Sequence, residues 1–281
     1  MPEFVIGNAS AQDRALMREW AEAEGWNPGD SDLQAFAVAD PRGFLTGRLD
    51  GVPVGCVSAV RQGAAGGFIG FYITSPPVRG QGYGIRLWRA ATERLAGRLT
   101  GLDGVVAQQH NYRKSGFRRA WTNLRFEGVP GGVTPVPPGV RLCDARTLPF
   151  DALAAYDRRF VPAERDAFLA AWTGLPGRTA VAALRDGELC GLGVVRPCAG
   201  ASRIGPLYAA GSGVAVALLG ALAEAAGGPV AIDVPDVCPG AAGLVSGLGL
   251  EPVFETARMY TGPAPVLDAA GLYGVTSLEL G

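Results

Sequence analysis

Lysine and histidine are almost missing from this chain of 281 residues: Lys114 and His110 each stand alone. One histidine excludes a multi-histidine metal centre, and no bound metal is expected; a Ser-His-Asp triad would have to use His110. Cysteine is sparse. The five present (Cys56, Cys143, Cys190, Cys198, Cys238) are odd in number, scattered and without C-x-x-C spacing, as in a reduced protein that uses thiols as small core hydrophobes. No apolar run approaches the ~20 residues of a membrane span. The start, Met1-Pro2-Glu3-Phe4, lacks the basic, apolar, small-residue order of a signal peptide. The expectation is a soluble, cytoplasmic protein with no membrane partner. Net charge is only −1 with a pI near 5.9, so no basic field points to nucleic acid. Residues 1–130 carry 15 basic and 12 acidic groups, and residues 131–281 carry 10 and 14. A slightly positive first half suits an anionic cofactor.

Glycine (42), proline (21) and a 48% hydrophobic content are what the chain has instead. The glycines are dispersed among helix-like and strand-like runs, which argues for a folded protein of one large or two modest domains. Ser10 precedes a helical pattern over 12–24, and residues 33–39 suit a strand or a short helix. Phe44–Arg48 and Val52–Val60 flank Asp50-Gly51, a hairpin signal. Phe68–Thr74 is a nearly continuous apolar run, as in a buried strand. A helix is expected from Tyr83 to about Arg98, with Gly84, Leu87, Trp88, Ala91 and Leu95 on one face. Gly101 to Gly104 are expected to turn the chain into a strand at Val105–Ala107. A short helix over Asn111–Ser115 and a strand over Trp121–Phe126 follow.

Residues 128–139 hold four prolines and four glycines in twelve positions, marking a domain boundary. The second half repeats the order of the first: strand Val140–Leu142, a helical region Phe150–Trp172, and strands Thr179–Leu184 and Leu189–Arg196 around Asp186-Gly187. Strand Ile204–Ala209, helix Val214–Ala226, strand Val230–Val234, helix Gly240–Leu248 and strands near Val253 and Met259 complete it. This reads as a divergent internal duplication of mixed α/β units.

Pro76-Pro77-Val78-Arg79-Gly80-Gln81-Gly82-Tyr83-Gly84 lies between a strand and a helix. Such a turn offers unpaired amides at the positive end of a helix dipole, and glycines let them approach a phosphate. The dinucleotide alternative asks for G-x-G-x-x-G and an acidic residue after a following strand. Here the glycines alternate, and the candidate Asp103 has no strand before it.

P-x-x-R-G-x-G-x-G in this setting resembles the acyl-CoA-binding motif of the GNAT N-acetyltransferases. Tyr112-x-x-x-Gly116-Phe117, about thirty residues on, is similar to that family's Y-x-x-x-G-F ending. The whole chain resembles the tandem-GNAT subgroup. The implied division is an acyl-CoA-binding GNAT domain at 1–130, a Pro/Gly-rich linker at 131–139 and a divergent GNAT-like domain at 140–281. The resemblance implies acetyl-CoA as donor, with backbone at Ile73 and Thr74 pairing to its pantetheine. Amides of Arg79, Gly80, Gln81, Gly82, Tyr83 and Gly84 would hold the pyrophosphate, and Asn111 would reach the cofactor. It implies Tyr112 as the acid that protonates the departing thiolate, and a small-molecule amine attacking directly. The strand 68–74 offers no Glu, Asp or His as base. Glu24, Asp30 and His110 are candidates, or water relays the proton, and Trp26 is a candidate wall of the acceptor pocket.

In the second half the equivalent turn, Ala210-Gly211-Ser212-Gly213-Val214, keeps two glycines but no arginine, and Val245 stands where a Tyr112 equivalent would be. That half is expected not to transfer acyl groups but to complete the acceptor site or the interface, with Asp233, Asp236 and Tyr273–Glu279 as polar contributors. A non-catalytic acyl-CoA-binding or regulatory module is the alternative, and a nucleotide-binding protein of another fold is a third. Monomer and homodimer are both open.

Overall fold

Thirteen strands form one continuous sheet in the computed structural model, which describes residues 2–131, 135–161 and 163–281. The first half begins with β1 (Phe4–Asn8), α1 (Ala11–Ala23) and α2 (Asp32–Ala39). Ser10 caps α1, its hydroxyl accepting the Asp13 N–H while the Asp13 carboxylate accepts that of Ser10. Strands β2 (Phe44–Leu49) and β3 (Val52–Gln62) form a hairpin. Asp50 and Gly51 both have positive φ (49° and 84°), as a two-residue turn of matching twist requires. There follow β4 (Gly66–Thr74), α3 (Tyr83–Arg94), β5 (Leu99–Val105), α4 (Gln109–Lys114) and β6 (Arg118–Gly128).

The second half repeats this order with β7 (Val140–Asp144), α5 (Phe150–Asp157), α6 (Asp166–Gly174), β8 (Thr179–Arg185) and β9 (Glu188–Arg196). It continues with β10 (Ser202–Ala209), α7 (Ser212–Ala226), β11 (Val230–Pro235), α8 (Ala241–Gly247), β12 (Glu251–Tyr260) and β13 (Leu272–Gly274). The region expected as one helical stretch over 150–172 is therefore two helices. Of the linker expected at 131–139, residues 132–134 lie outside the described residues.

The turn expected at Gly101–Gly104 is instead strand. Those glycines serve close packing: a Cβ on Gly101 would lie 2.9 Å from both Phe68 and Tyr260, and one on Gly104 2.9 Å from the Tyr112 ring. The expected helix to Arg98 ends at Arg94, and Gly97 takes positive φ (77°) just beyond it.

Strand order is β1-β2-β3-β4-β5-β12-β6-β11-β10-β9-β8-β7. The last long strand of each half is thus inserted into the other: β12 lies between β5 and β6, and β6 lies between β12 and β11. The sheet does not divide where the chain does at residues 130 and 140. Outside the sheet, α2 packs on α6, with Phe36 stacked on Trp172 at 5.8 Å and 7°.

Buried ion pairs cross the same seam. Asp32 accepts from Arg178 (2.9 Å) and Arg196 (2.9 Å), Asp103 from Arg258 (2.7 Å), and Asp233 from Arg125 (2.7 Å) and Arg203. Burial would raise the Asp233 carboxyl, but Arg125 and Arg203 overcome it and hold it at about 2, and the arginines around Asp32 lower that carboxyl too. A depressed carboxyl stabilises the fold above its unfolded value near 3.8 and loses that contribution as pH falls through its folded value. Thermal melts should therefore show stability held above about pH 4 and lost progressively towards about pH 2. Asp233→Asn, which leaves two guanidiniums facing a neutral amide, should cost about 3–5 kcal/mol in urea denaturation.

Candidate active site

The two parallel strand pairs of the sheet are short, and each opens into a gap. β4 pairs with β5 only from Gly66 to Ile69, opposite Leu99–Leu102. Beyond this a bulge re-aims β4: Phe71 takes φ +46°, and the register against β3 shifts between Ser58 and Cys56. Ser58 Oγ accepts the Gly70 N–H (3.1 Å), and the Cys56 thiol donates to the Phe71 carbonyl (3.2 Å), fixing the bulge. Gly70 to Thr74 therefore have no strand partner on their β5 side, and they line a cavity of about 470 Å³.

β10 and β11 diverge in the same way after Ile204 and Ile232. There the chain fills its own gap. β13 pairs with β10 (Leu207 with Gly274, Tyr208 with Leu272), and the Val275 N–H donates to the Asp233 carbonyl at 3.0 Å. Gly205 admits this segment, since a Cβ there would lie 2.5 Å from the Val275 and Thr276 carbonyls. No sequence signal marked β13, because a three-residue strand has no periodicity to read.

Next to the open gap stands the glycine-rich turn. Gly80 and Gly82 have φ of +77° and +88°, with nothing within 4 Å of where a Cβ would be. Gly84 is needed for close approach: its Cβ would lie 3.0 Å from the Tyr72 hydroxyl and 3.4 Å from Thr74 Cγ2. No side chain caps α3 at Gly82, so its first amides face outward at the positive end of a twelve-residue helix. This exposed turn fits a phosphate group of an acyl-CoA. Gln81 closes it by donating to the Pro77 carbonyl (2.9 Å), and the Tyr83 ring anchors the helix on Phe4 (4.7 Å). The Arg79 guanidinium is committed to protein partners, donating to the Thr74 carbonyl (2.9 Å) and to Glu24.

Tyr112 faces the cavity from α4, packed on Trp88 (5.2 Å), which packs in turn on Tyr72 (5.4 Å). Burial, with Tyr72 nearby, pushes the Tyr112 phenol well above its ordinary value, so it keeps its proton at neutral pH. Ile73, Thr74, Glu24 and Trp26 also line the cavity. Asn111, Asp30 and His110 do not: Asn111 donates to Gln108 (2.8 Å) on the surface, Asp30 is 54% exposed beside Arg18, and His110 is exposed.

The second half supplies the far wall, with Phe254, Thr256, Leu278 and Glu279. It also holds the loop carrying Trp26. The Trp26 carbonyl accepts from Arg125 (2.7 Å) and Arg203 (3.3 Å), and Asn27 is tied to Gly200 and Ala201. Asp233 bonds these arginines from behind, and Asp236 sits at the surface beside Arg119. Sequence reasoning named the Tyr273–Glu279 segment, which includes Leu278 and Glu279, but not Phe254 or Thr256, which reach the cavity only because β12 is inserted beside β5.

A model of the "Acetyltransferase (GNAT) family" matches residues 12–117, and one of an "Acetyltransferase (GNAT) domain" matches residues 153–274. The holothin acyltransferase of Pseudoalteromonas sp. (strain SANK 73390) is 32% identical over 275 residues, 97% of this chain and 93% of that protein. Among solved structures, a Pyrococcus horikoshii protein assigned as an acetyltransferase superposes with a TM-score of 0.83 at 20% identity, covering 99% of this chain and 96% of its own. A tandem GNAT protein from the clavulanic acid biosynthesis pathway gives 0.63 at 18% identity, covering 94% and 100%. The two matched halves, the full-length relative and the paired folds lead to one assignment: the chain belongs to the GNAT acyltransferases, as a tandem member with one GNAT domain in each half.

Proposed function

We propose that the protein transfers an acetyl group from acetyl-CoA to the amine of a small molecule, using one site in its first half. The observation that carries this reading is the meeting of three features: the open glycine turn, the unpaired edge of β4 and a buried, protonated Tyr112 on the same cavity. The amides from Gly80 to Gly84 hold the pyrophosphate, while that of Arg79 is spent on the Pro76 carbonyl (3.2 Å), and the backbone of Ile73 and Thr74 holds the pantetheine arm as an added strand would. When bound, acetyl-CoA supplies an activated thioester. Backbone N–H groups of β4 past its last pairing with β5 stabilise negative charge on the acyl oxygen, and the Tyr112 hydroxyl gives its proton to the departing sulfur. The second half adds walls rather than a second reaction, since β13 occupies the gap where its own donor would lie.

The relative's activity makes holothin the first acceptor to assay. Thiol release from acetyl-CoA should be seen with holothin, or with another member of a panel of small amines. Tyr112→Phe should lower kcat by roughly 100-fold while the KM for acetyl-CoA stays within about threefold. No thiol release with any amine, despite tight acetyl-CoA binding, would favour a binding module instead. Gly84→Val should weaken acetyl-CoA binding at least about tenfold by calorimetry, because the added side chain separates α3 from Tyr72 and Thr74. Unchanged affinity would show that the turn is not the phosphate cradle.

A further inference from the structure

Three carboxylates line the cavity: Glu24, Asp103 and Glu279. Two are fully engaged or displaced towards solvent. Glu24 lies at the rim, about a third exposed (35%), and pairs with Arg79. Asp103 spends both oxygens inside the protein: Oδ1 accepts from Asn123 (2.7 Å) and Arg258 (3.1 Å), and Oδ2 accepts from Arg258 (2.7 Å).

Glu279 differs. It is 4% exposed, and its Oε1 has a long contact with Arg203 (3.4 Å), while its Oε2 is buried with no hydrogen-bond partner among the described residues. Thr256 Oγ1, on the same cavity, is also buried and unpartnered. A buried carboxylate oxygen without a partner is costly unless a bound group satisfies it. Both residues border the same cavity, and a side-chain rotation that turns either oxygen towards it offers an acceptor to a ligand rich in N–H donors. The location fits as well. The Glu279 backbone lies directly against Gly70, where a Cβ would be 2.3 Å from the Glu279 carbonyl oxygen, so this residue sits beside the bulge that opens β4.

We infer that Glu279, assisted by Thr256, receives the acceptor as an ammonium and removes its proton, so that the second half supplies the base which β4 lacks. This rests on the acyl-transfer reading above. The balance is simple. One proton of R–NH₃⁺ passes to Glu279 and on to solvent. The neutral nitrogen then forms the C–N bond to the acyl carbon as the C–S bond breaks. The nitrogen sheds a second proton, which offsets the one that Tyr112 delivers to sulfur. The acceptor class is therefore a basic amine with at least two N–H protons as its ammonium, protonated at neutral pH and small enough for the cavity.

The charged groups around Glu279 set the background for any pH profile. Arg203 from β10 contacts it, with Asp233 of β11 and Arg125 of β6 behind that arginine. Asp103 and Arg258 pair beside the cavity on β5 and β12, and Tyr72 and Tyr112 line it from β4 and α4. Burial raises the Asp103 carboxyl against the pull of Arg258, while Arg125 and Arg203 lower that of Asp233. The tyrosines are pushed upward by burial and stay neutral.

The test compares wild type with Glu279→Gln and Thr256→Val, using holothin or the panel amine that turns over fastest. Calorimetry of that amine into the CoA-bound enzyme gives a readout without turnover. Glu279→Gln is expected to bind acetyl-CoA like wild type and to bind the amine at least about tenfold more weakly. Its kcat/KM should fall about 100-fold or more at pH 7, with the deficit shrinking as pH rises towards the amine's own pKa. Its melting temperature should stay within a few degrees of wild type, because Arg203 keeps its pair with Asp233 when its long contact with Glu279 is weakened. Thr256→Val should raise KM with little change in kcat. A Glu279→Gln enzyme with near-normal kcat/KM, or with a deficit that does not vary with pH, overturns the proposal. So does a variant that loses acetyl-CoA binding and melts several degrees lower. Wild type that turns over no amine would fail the acyl-transfer reading itself, and the role of Glu279 with it.

Discussion

Everything in this protein depends on the reciprocal insertion of β12 and β6. Because each half places its last long strand inside the other, neither half has a complete sheet by itself. Main-chain hydrogen bonds run without interruption from β1 to β7, and the buried pairs of Asp32, Asp103 and Asp233 with arginines cross the same seam. Charges this deep stabilise only while their partners stay in register. The exchange therefore rigidifies the seam, and the seam is where the cavity lies.

The two halves differ in what becomes of the gap that each opens. Both halves open a gap between diverging parallel strands, so both inherit the geometry for an extended guest. In the first half the gap is left open, with a bulge at Phe71 and a glycine turn beside it. In the second, β13 pairs with β10 and closes it. The segment that follows β13 then runs to Gly70, so the strand that shuts one site also delivers a carboxylate to the other. One stretch of chain thus closes the gap in the second half and borders the cavity in the first.

The acceptor side is likewise held from a distance. Trp26 sits on a loop of the first half, yet its carbonyl is fixed by Arg125 and Arg203, which Asp233 orients. Changes at the seam should be felt in acceptor binding before they are felt at the glycine turn, whose contacts with Phe4, Pro77 and Tyr72 are all within the first half.

Local chemistry made the donor side legible from the amino acids alone. Alternating glycines before a helix, a preceding apolar strand and Tyr112 at a fixed spacing are short-range features, and their geometry follows from backbone sterics and helix electrostatics. The repeat of element order across a Pro/Gly-rich join was legible for the same reason. Gly101 and Gly104 misled, because a glycine demanded by a neighbouring ring looks like a glycine demanded by a turn. The strand exchange, β13 and the roles of Thr256 and Glu279 could not be read, since each rests on contacts between residues more than a hundred positions apart. Sequence by itself determined the glycine turn before a helix, and with Tyr112-x-x-x-Gly116-Phe117 the resemblance that implies an acyl-CoA donor. Only the tertiary structure decided what stands across the cavity from that turn, because that wall exists only once the two halves have exchanged strands.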